Sequence, residues 1–202
     1  ATVSRAFDPS SKMKPTTREK VLNAALSLNY TPDAIARSLI SNNTNIIAVI
    51  MQNATNPFYA KVLTKLSIQL RKFGKQILYF YLDNPDNLQQ MITQVLQYRV
   101  DGILITSINL SSTIADTCLN FGIPVVLFNR QINSSKIQSV CCDNFQAGRD
   151  CADYFVMKGH RRLAFIGGFD TASTTLKRKE GFLSRLRERG ITDVTIYHSD
   201  YT

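Results

Sequence analysis

The sequence lacks any run approaching the ~18 apolar residues of a membrane span, and residues 1–20 lack the basic-then-apolar order of a signal peptide. Neither insertion nor secretion is expected, and the cytosol is the expected compartment. Cysteine is sparse: Cys118, Cys141, Cys142 and Cys151 form no C-x-x-C pair, and His160 stands at no zinc-finger spacing from them. In a cytosolic chain such side chains are expected to be small, reduced and mostly buried, with no disulfide, metal or cofactor. There is no G-x-S-x-G elbow, no G-x-G-x-x-G turn and no G-x-x-x-x-G-K-[ST] loop, and Gly167-Gly168 completes none of them. The marks of disorder and low complexity are also missing, since 44% of the 202 residues are hydrophobic and only 19% charged. The chain therefore has material for a core and room for one large or two small domains.

What the sequence does have is positive charge, a formal +9 at neutral pH. It divides as 6 basic and 3 acidic residues in 1–45, 10 and 7 in 46–160, and 8 and 5 in 161–202. The first segment is short and so dense in charge, as a phosphate-binding module requires. A merely solvated basic face would look the same.

Within that first segment, residues 17–29 have a helical pattern with Val21, Leu22, Ala25, Leu26 and Leu28 on one side. Thr16 and Glu19 stand at capping-box spacing. Thr31-Pro32 then suits an N-cap and first helical residue for the short segment from Asp33 to Leu39. A polar stretch, 41–45, marks a boundary, after which apolar runs alternate with helical patterns. Strands are expected at 46–51, 77–82, 102–106, 124–128, 139–143, 162–167 and 193–197. The helices between them are expected at 57–73, 86–98, 112–121, 145–158 and 174–189. The first strand, IIAVIM, shows no polar alternation and should be covered on both faces. Such βαβ repetition predicts an α/β fold with doubly wound parallel sheet.

In such sheets ligands bind beyond the carboxyl ends of the strands. Those ends carry Asn53, Asn56, Phe58 and Tyr59, then Asp83, then Thr106 and Ser107. Further on come Asn129 and Arg130, then Asp143 and Asn144, and finally Asp170, Ser173, Thr174 and Arg178. Hydroxyls, amides, arginines and aromatic faces suit a neutral polyhydroxylated ligand. Neither His160 nor His198 falls among them, which weighs against an enzyme. Loop carboxylates here more often fix ligand hydroxyls or cap helices than do acid–base work.

Several of these motifs together resemble the lactose-repressor/galactose-repressor family of bacterial transcription regulators. Thr2-Val3-Ser4-Arg5 resembles the core of its recognition helix, and the segments 17–21 and 30–39 resemble its third helix and hinge helix. Asn56-Pro57-Phe58-Tyr59, Val100-Asp101-Gly102, Asn129-Arg130, Asp143-Asn144 with Ala147-Gly148, Gly159-His160-Arg161, and Arg178 with Gly181-Phe182 follow in the family's order. The resemblance covers essentially the whole chain. It implies a periplasmic-binding-protein-like, two-lobed sensor behind an all-α helix-turn-helix headpiece and a hinge helix. The expected parts are a partial headpiece (1–30), hinge helix and linker (31–45), sensor N-terminal lobe (46–143) and partial C-terminal lobe (144–202). The family's first helix, and the later strands and helices of its second lobe, have no counterpart in the sequence. A fragment is therefore expected, with Leu163, Phe165, Val194 and Ile196 on an incompletely covered sheet and a tendency to aggregate. Lys14 stands where the family has a capping serine, so Thr16 is expected to take over that cap.

The resemblance further implies a repressor that binds operator DNA as a homodimer and responds to a small effector, with a sugar favoured over a nucleobase. Arg5 would read a base edge, Ala1 falls at a specificity position, Thr2 and Ser4 would serve phosphates, and Val3 and Phe7 would face the headpiece core. In the hinge, Leu39 would wedge open a minor-groove base step, with Ala34 and Ala36 allowing close approach and Arg37 holding phosphate. The alternative is that Ile35, Leu39 and Ile40 merely pack against the sensor. Arg178 and Arg130 would hold ligand hydroxyls, joined by Asn56, Phe58, Tyr59 and Asn129 and, less directly, Asp143, Ser173 and Thr174. Phe58 and Tyr59 could instead be core, and Arg130 could pair with Asp143. Two other classes remain open: a periplasmic-type sugar-binding protein without a DNA-binding role, and a sugar-modifying α/β enzyme.

Overall fold

An apolar run without polar alternation needs cover on both faces, and Ile46–Met51 has it. The computed structural model describes residues 2–8, 10–33, 36–38, 43–52, 56–106, 108, 111–132 and 135–199. The chain forms two compact units, 1–44 and 45–202. Among the described residues no helix is long and apolar enough to cross a membrane.

The first unit contains helices α1 (Thr2–Ala6) and α2 (Pro15–Ser27). Helix α2 starts earlier than its sequence pattern suggests, because Pro15 occupies the first turn, where its fixed φ and missing N–H cost nothing. Lys14 is the N-cap and no side chain caps the helix. Thr16 therefore lies inside the first turn, and the expected capping box does not form. Ala6 and Ala25 are buried, whereas Leu26 and Leu28 are about three-quarters exposed, at 75% and 76%. Val3, expected in the core, is exposed as well. Phe7 does pack inward, edge-on to Tyr30 at 6.0 Å. Further on, residues 36–38 are helical. The cap there is Asp33 rather than Thr31: its carboxylate accepts from the Ala36 N–H and its carbonyl from the Arg37 N–H.

The second unit holds a five-stranded parallel sheet in the order β2-β1-β3-β4-β5 and a separate parallel pair, β6-β7. The strands are β1 (Ile46–Met51), β2 (Gln76–Tyr81), β3 (Gly102–Thr106), β4 (Val125–Phe128), β5 (Gln138–Val140), β6 (Leu163–Gly167) and β7 (Val194–His198). Between them run α3 (Pro57–Lys72), a 3-10 turn (Pro85–Asn87) leading into α4 (Leu88–Gln97), α5 (Ser112–Asn120), α6 (Asn144–Met157) and α7 (Ser173–Glu188). The fifth strand is shorter than expected and ends before Cys141 and Cys142. Strand β1 lies inside the sheet, between β2 and β3, and its alternate residues serve two cores. Ala48 and Ile50 pack with Ile92 and Val95 of α4 and Ala115 and Cys118 of α5, while Val49 and Met51 pack with Tyr59 of α3. At the opposite end of the sheet Asp101 accepts from Lys75 Nζ at 2.7 Å and from the Asn45 N–H at 2.9 Å, tying three connections together. Of the four free cysteines only Cys118 is buried; Cys141 is half-buried, and Cys142 and Cys151 are exposed, against the expectation of burial.

Helices α6 and α7 cross so closely that a Cβ on Gly148 would strike the Arg178 carbonyl and stand 2.8 Å from the Phe182 nitrogen. A Cβ on Gly181 would likewise strike the Phe145 carbonyl. Beside the crossing lies a small core of Ala152, Phe182, Leu186 and Ile191, with Leu163, Phe165 and Val194 of β6 and β7 half-buried against it. The other face of this pair is more open, with Ile166 at 72% and Tyr197 at 57% exposure.

Ion pairs line the outside of the same crossing. Arg149 and Arg185 both bond Glu188, at 2.7 and 2.6 Å, and Arg185 and Arg189 both bond Asp153, each at 2.8 Å. The Arg149 and Arg185 guanidiniums hold the Glu188 carboxyl down at about 2, and Arg185 with Arg189 lowers that of Asp153. Both carboxylates thus favour the folded chain above the ordinary carboxylate range, and that contribution disappears as pH falls through the range toward about 2. These groups are open to solvent, so salt weakens the effect. Urea midpoints followed from neutral to acid pH should fall less steeply for Glu188→Gln than for the parent chain, and the two curves should converge at the acid end.

Candidate functional site

Six of the nine residues assigned to the ligand site from sequence sit in one contact chain along the carboxyl ends of the strands. Asn56 is the N-cap of α3, and its Oδ1 accepts from the Phe58 N–H at 2.9 Å. Pro57 in the first turn completes this local start signal. The cap fixes where Phe58 and Tyr59 emerge. Phe58 is half-exposed, stacks on Phe128 at 6.2 Å and meets Tyr59 edge-on at 5.1 Å. The ring of Tyr59 is core, with only 5% exposure, but its hydroxyl oxygen accepts from Asn129 Nδ2 at 3.0 Å.

Asn129 adopts φ +58°, the left-handed region that asparagine tolerates better than most residues. Its N–H donates to the Val140 carbonyl at 2.9 Å. The turn brings the next residue, Arg130, toward the second sheet. Arg130 is buried at 7% exposure, and its Nη1 donates to the Asn129 carbonyl at 2.8 Å and to Thr174 Oγ1 at 3.3 Å. One residue on, the Gln131 N–H donates to Ser173 Oγ at 3.1 Å. The β4 end and the start of α7 are thereby joined by two hydrogen bonds. Arg130 is thus an internal tie as well as a candidate ligand group.

Arg178 lies one turn after Thr174 on α7, at the i,i+4 spacing that puts both on one face. It is exposed, and its Nε donates to Asn144 Oδ1 at 2.7 Å. Asn144, not assigned a role from sequence, is buried, and its Nδ2 donates to the Cys142 carbonyl at 3.0 Å. Asp143 is exposed and caps α6, accepting from the Gln146 N–H at 2.9 Å. Helix capping occupies the carboxylate in this structure. Cys141 Sγ donates to the Arg130 carbonyl at 3.2 Å, and burial pushes its thiol above the usual range, which keeps the donor proton in place.

One strand-end residue was given no role in the site. Thr106, at the end of β3, is fully buried, and its hydroxyl has no partner among the described residues. Its place at a strand end was visible, but the absence of a partner was not. A cavity of about 530 Å³ opens beside Ser173, lined by Gln131, Ile132, Ile137, Ser139, Leu176 and Lys177. A larger one, about 710 Å³, lies at the amino ends of β6 and β7 around Arg161, Arg162 and Asp193, away from the candidate residues. Asp170 pairs instead with His198, at 2.7 Å. Among the described residues no group of three or more His, Cys, Asp or Glu is arranged to hold a metal ion.

In the first unit Thr2, Ser4 and Arg5 lie exposed on α1. Arg5 is turned back onto its own unit, donating to Ser11 Oγ at 3.3 Å and to the Lys12 carbonyl at 2.7 Å. Arg18 closes the same turn through the Asp8 and Ser11 carbonyls. Ala36 and Arg37 are exposed. Ala1, Ala34, Ile35, Leu39, Ile40, Asn53 and Ser107 lie outside the described residues.

The family described as "Periplasmic binding proteins and sugar binding domain of LacI family" matches residues 43–200. The chain is 31% identical over 206 residues to catabolite control protein A of Priestia megaterium, covering 100% of the chain and 62% of that protein. It is 31% identical over 193 residues to the sucrose operon repressor of Pediococcus pentosaceus, covering 95% and 58%. It thus spans about three-fifths of the length of these relatives. The fold is also that of a lac repressor dimer bound to operator and the anti-inducer ONPF, with a TM-score of 0.87 at 20% identity over 100% of the chain and 62% of that one.

The Tyr59–Asn129 bond makes a local prediction. Tyr59→Phe keeps the buried ring and removes only the acceptor, so stability in urea should drop by about 0.5–1.5 kcal/mol with an unchanged denaturant slope. A variant as stable as the parent would show that the bond holds nothing.

Proposed function

Because the chain belongs to the family of periplasmic binding proteins and sugar-binding domains of the LacI family, we propose that it is the greater part of a ligand-responsive transcriptional repressor. The protein binds operator DNA as a homodimer and changes its DNA affinity when a small effector occupies the sensor. The effector is a sugar or sugar derivative, the regulator works in the cytoplasm, and it performs no catalysis. In this reading 1–30 belong to the DNA-binding headpiece, 31–45 to the hinge, 46–143 to one sensor lobe and 144–202 to the other.

One observation carries the sensor assignment: the strand-end groups of two separate sheets meet through Arg130, Thr174, Gln131 and Ser173. A ligand beside this junction would touch Phe58 and Asn129 from one sheet and Arg178 from the other. Aromatic faces cover sugar C–H surface, and amide, hydroxyl and guanidinium groups bond its hydroxyls. The regulator reading is favoured over a stand-alone sugar-binding protein by the basic helical unit at 1–44. There Thr2, Ser4, Arg5, Ala36, Arg37 and Leu39 are the DNA-contacting residues, with Ala1 at a specificity position. The relatives support the same reading, two of them being a catabolite control protein and a sucrose operon repressor.

Arg178→Ala should weaken effector binding by about 10- to 150-fold, the equivalent of about 1.5–3 kcal/mol for hydrogen bonds to a charged group. The variant should still fold, since Arg178 is exposed, but with a lowered unfolding midpoint, because the buried Asn144 Oδ1 loses its donor. Titration calorimetry against a panel of hexoses, disaccharides and hexose phosphates is the test, and unchanged affinity for the binding sugar would remove Arg178 from the site.

The hinge has its own test. Leu39→Ala should weaken binding to a duplex selected by the protein from a randomised pool more than binding to random DNA. The salt dependence should hardly change, since no cation is lost. An equal loss on both DNAs would count against the wedge.

A further inference from the structure

The segment between β5 and α6 touches both arginines of the proposed site. Cys141 Sγ bonds the Arg130 carbonyl. The next carbonyl, that of Cys142, receives Asn144 Nδ2, and Asn144 Oδ1 receives Arg178 Nε. Asn144 is 6% exposed, so its amide makes these bonds away from bulk water. The side chain must accept on one side and donate on the other, which fixes the orientation of the amide. Aspartate supplies only the acceptor, and alanine supplies neither.

The backbone around this amide is held just as firmly. Asn144 is the first residue of α6, fixed by the Asp143 cap, and Phe145 beside it carries the carbonyl that Gly181 approaches. Arg178 carries the carbonyl that Gly148 approaches. The helix crossing therefore sets the distance between residues 144 and 178, leaving the long arginine side chain as the variable part. A bond to Nε removes that freedom while leaving both Nη groups to meet a ligand, and a side chain ordered in advance loses less on binding.

We propose that Asn144 is the positioning residue of the effector site, fixing the Arg178 guanidinium against the segment that joins the two sheets. This rests on the reading of Arg178 as a ligand-binding group. Asn144 acts through Arg178 rather than by touching the ligand, so its contribution exists only while that guanidinium is present.

A mutant cycle with a side-chain spectrum tests this. Asn144→Ala, Asn144→Asp, Arg178→Ala and the Asn144→Ala/Arg178→Ala pair would be titrated against hexoses, disaccharides and hexose phosphates, with unfolding midpoints recorded. Asn144→Ala should weaken the binding sugar by about tenfold, yet add nothing in the Arg178→Ala background. Asn144→Asp, which keeps an acceptor for Nε, should retain most of the affinity. Nitrogen-edited spectra of the parent should show a slowly exchanging Nε–H that disappears in Arg178→Ala and exchanges faster in Asn144→Ala. Additive losses in the pair overturn the proposal, as does unchanged affinity in Asn144→Ala when Arg178→Ala has lost it. Either outcome leaves the site assignment standing. Unchanged affinity in Arg178→Ala, or a panel in which no sugar binds the parent, removes the site assignment and this proposal together. Should Asn144→Ala not fold, Asn144→Asp decides: parent-like affinity supports the role, and affinity as poor as that of Arg178→Ala overturns it.

Discussion

Two helices that approach until each presses a glycine against the other's carbonyl leave no freedom in how they cross. The contact of Gly148 with Arg178 and of Gly181 with Phe145 organises everything after β5. It sets the small core of Ala152, Phe182 and Leu186, against which β6 and β7 lay one face. It brings Arg149 and Asp153 of α6 within reach of Glu188, Arg185 and Arg189. It also places residue 144 beside residue 178. Close packing of this kind behaves as a rigid joint, because interiors at crystal-like density transmit displacement rather than absorb it. The spacing between Asn144 and Arg178 depends on that rigidity.

The two sheets are joined differently. Where α6 and α7 meet by shape, the β4 end and the start of α7 meet by two hydrogen bonds, from Arg130 to Thr174 and from Gln131 to Ser173. Polar ties of net worth about 1 kcal/mol each can exchange with water or ligand, which a buried apolar contact cannot do cheaply. The proposed sensor function would need a soft junction between hard parts, and the polar ties fall where the two sheets meet.

The regular parts of the fold were readable because their causes are local. IIAVIM must be covered on both sides, and it is. Asn56 and Pro57 announce the start of α3, and Gly74 follows its end with φ +69°. The misreadings have local causes too. Pro15 outranks Thr16 as a helix start, Asp33 outranks Thr31 as a cap, and Leu26 and Leu28 follow a periodicity that so small a unit has no core to receive. The strand-end census located candidate ligand groups but not their partners. Asn129 meets Tyr59 across 70 positions and Arg178 meets Asn144 across 34, and no spacing rule spans such distances. Asn144 stood beside Asp143 at the end of the fifth strand, and its contact with Arg178 depends wholly on where α7 comes to lie.

Several positions in the proposed site serve twice. Asn56 and Asp143 hold helix ends, and the Thr174 hydroxyl receives the tie from Arg130. Replacing any of them to suit a new effector would loosen an element of the fold as well, so drift at these positions carries a double cost. Phe58 is different: its side chain is half in solvent and meets the rings of Tyr59 and Phe128, while its place on the helix is secured by Asn56. Divergence toward new ligands, in nature or by selection in the laboratory, therefore has its least obstructed route through the ring at 58.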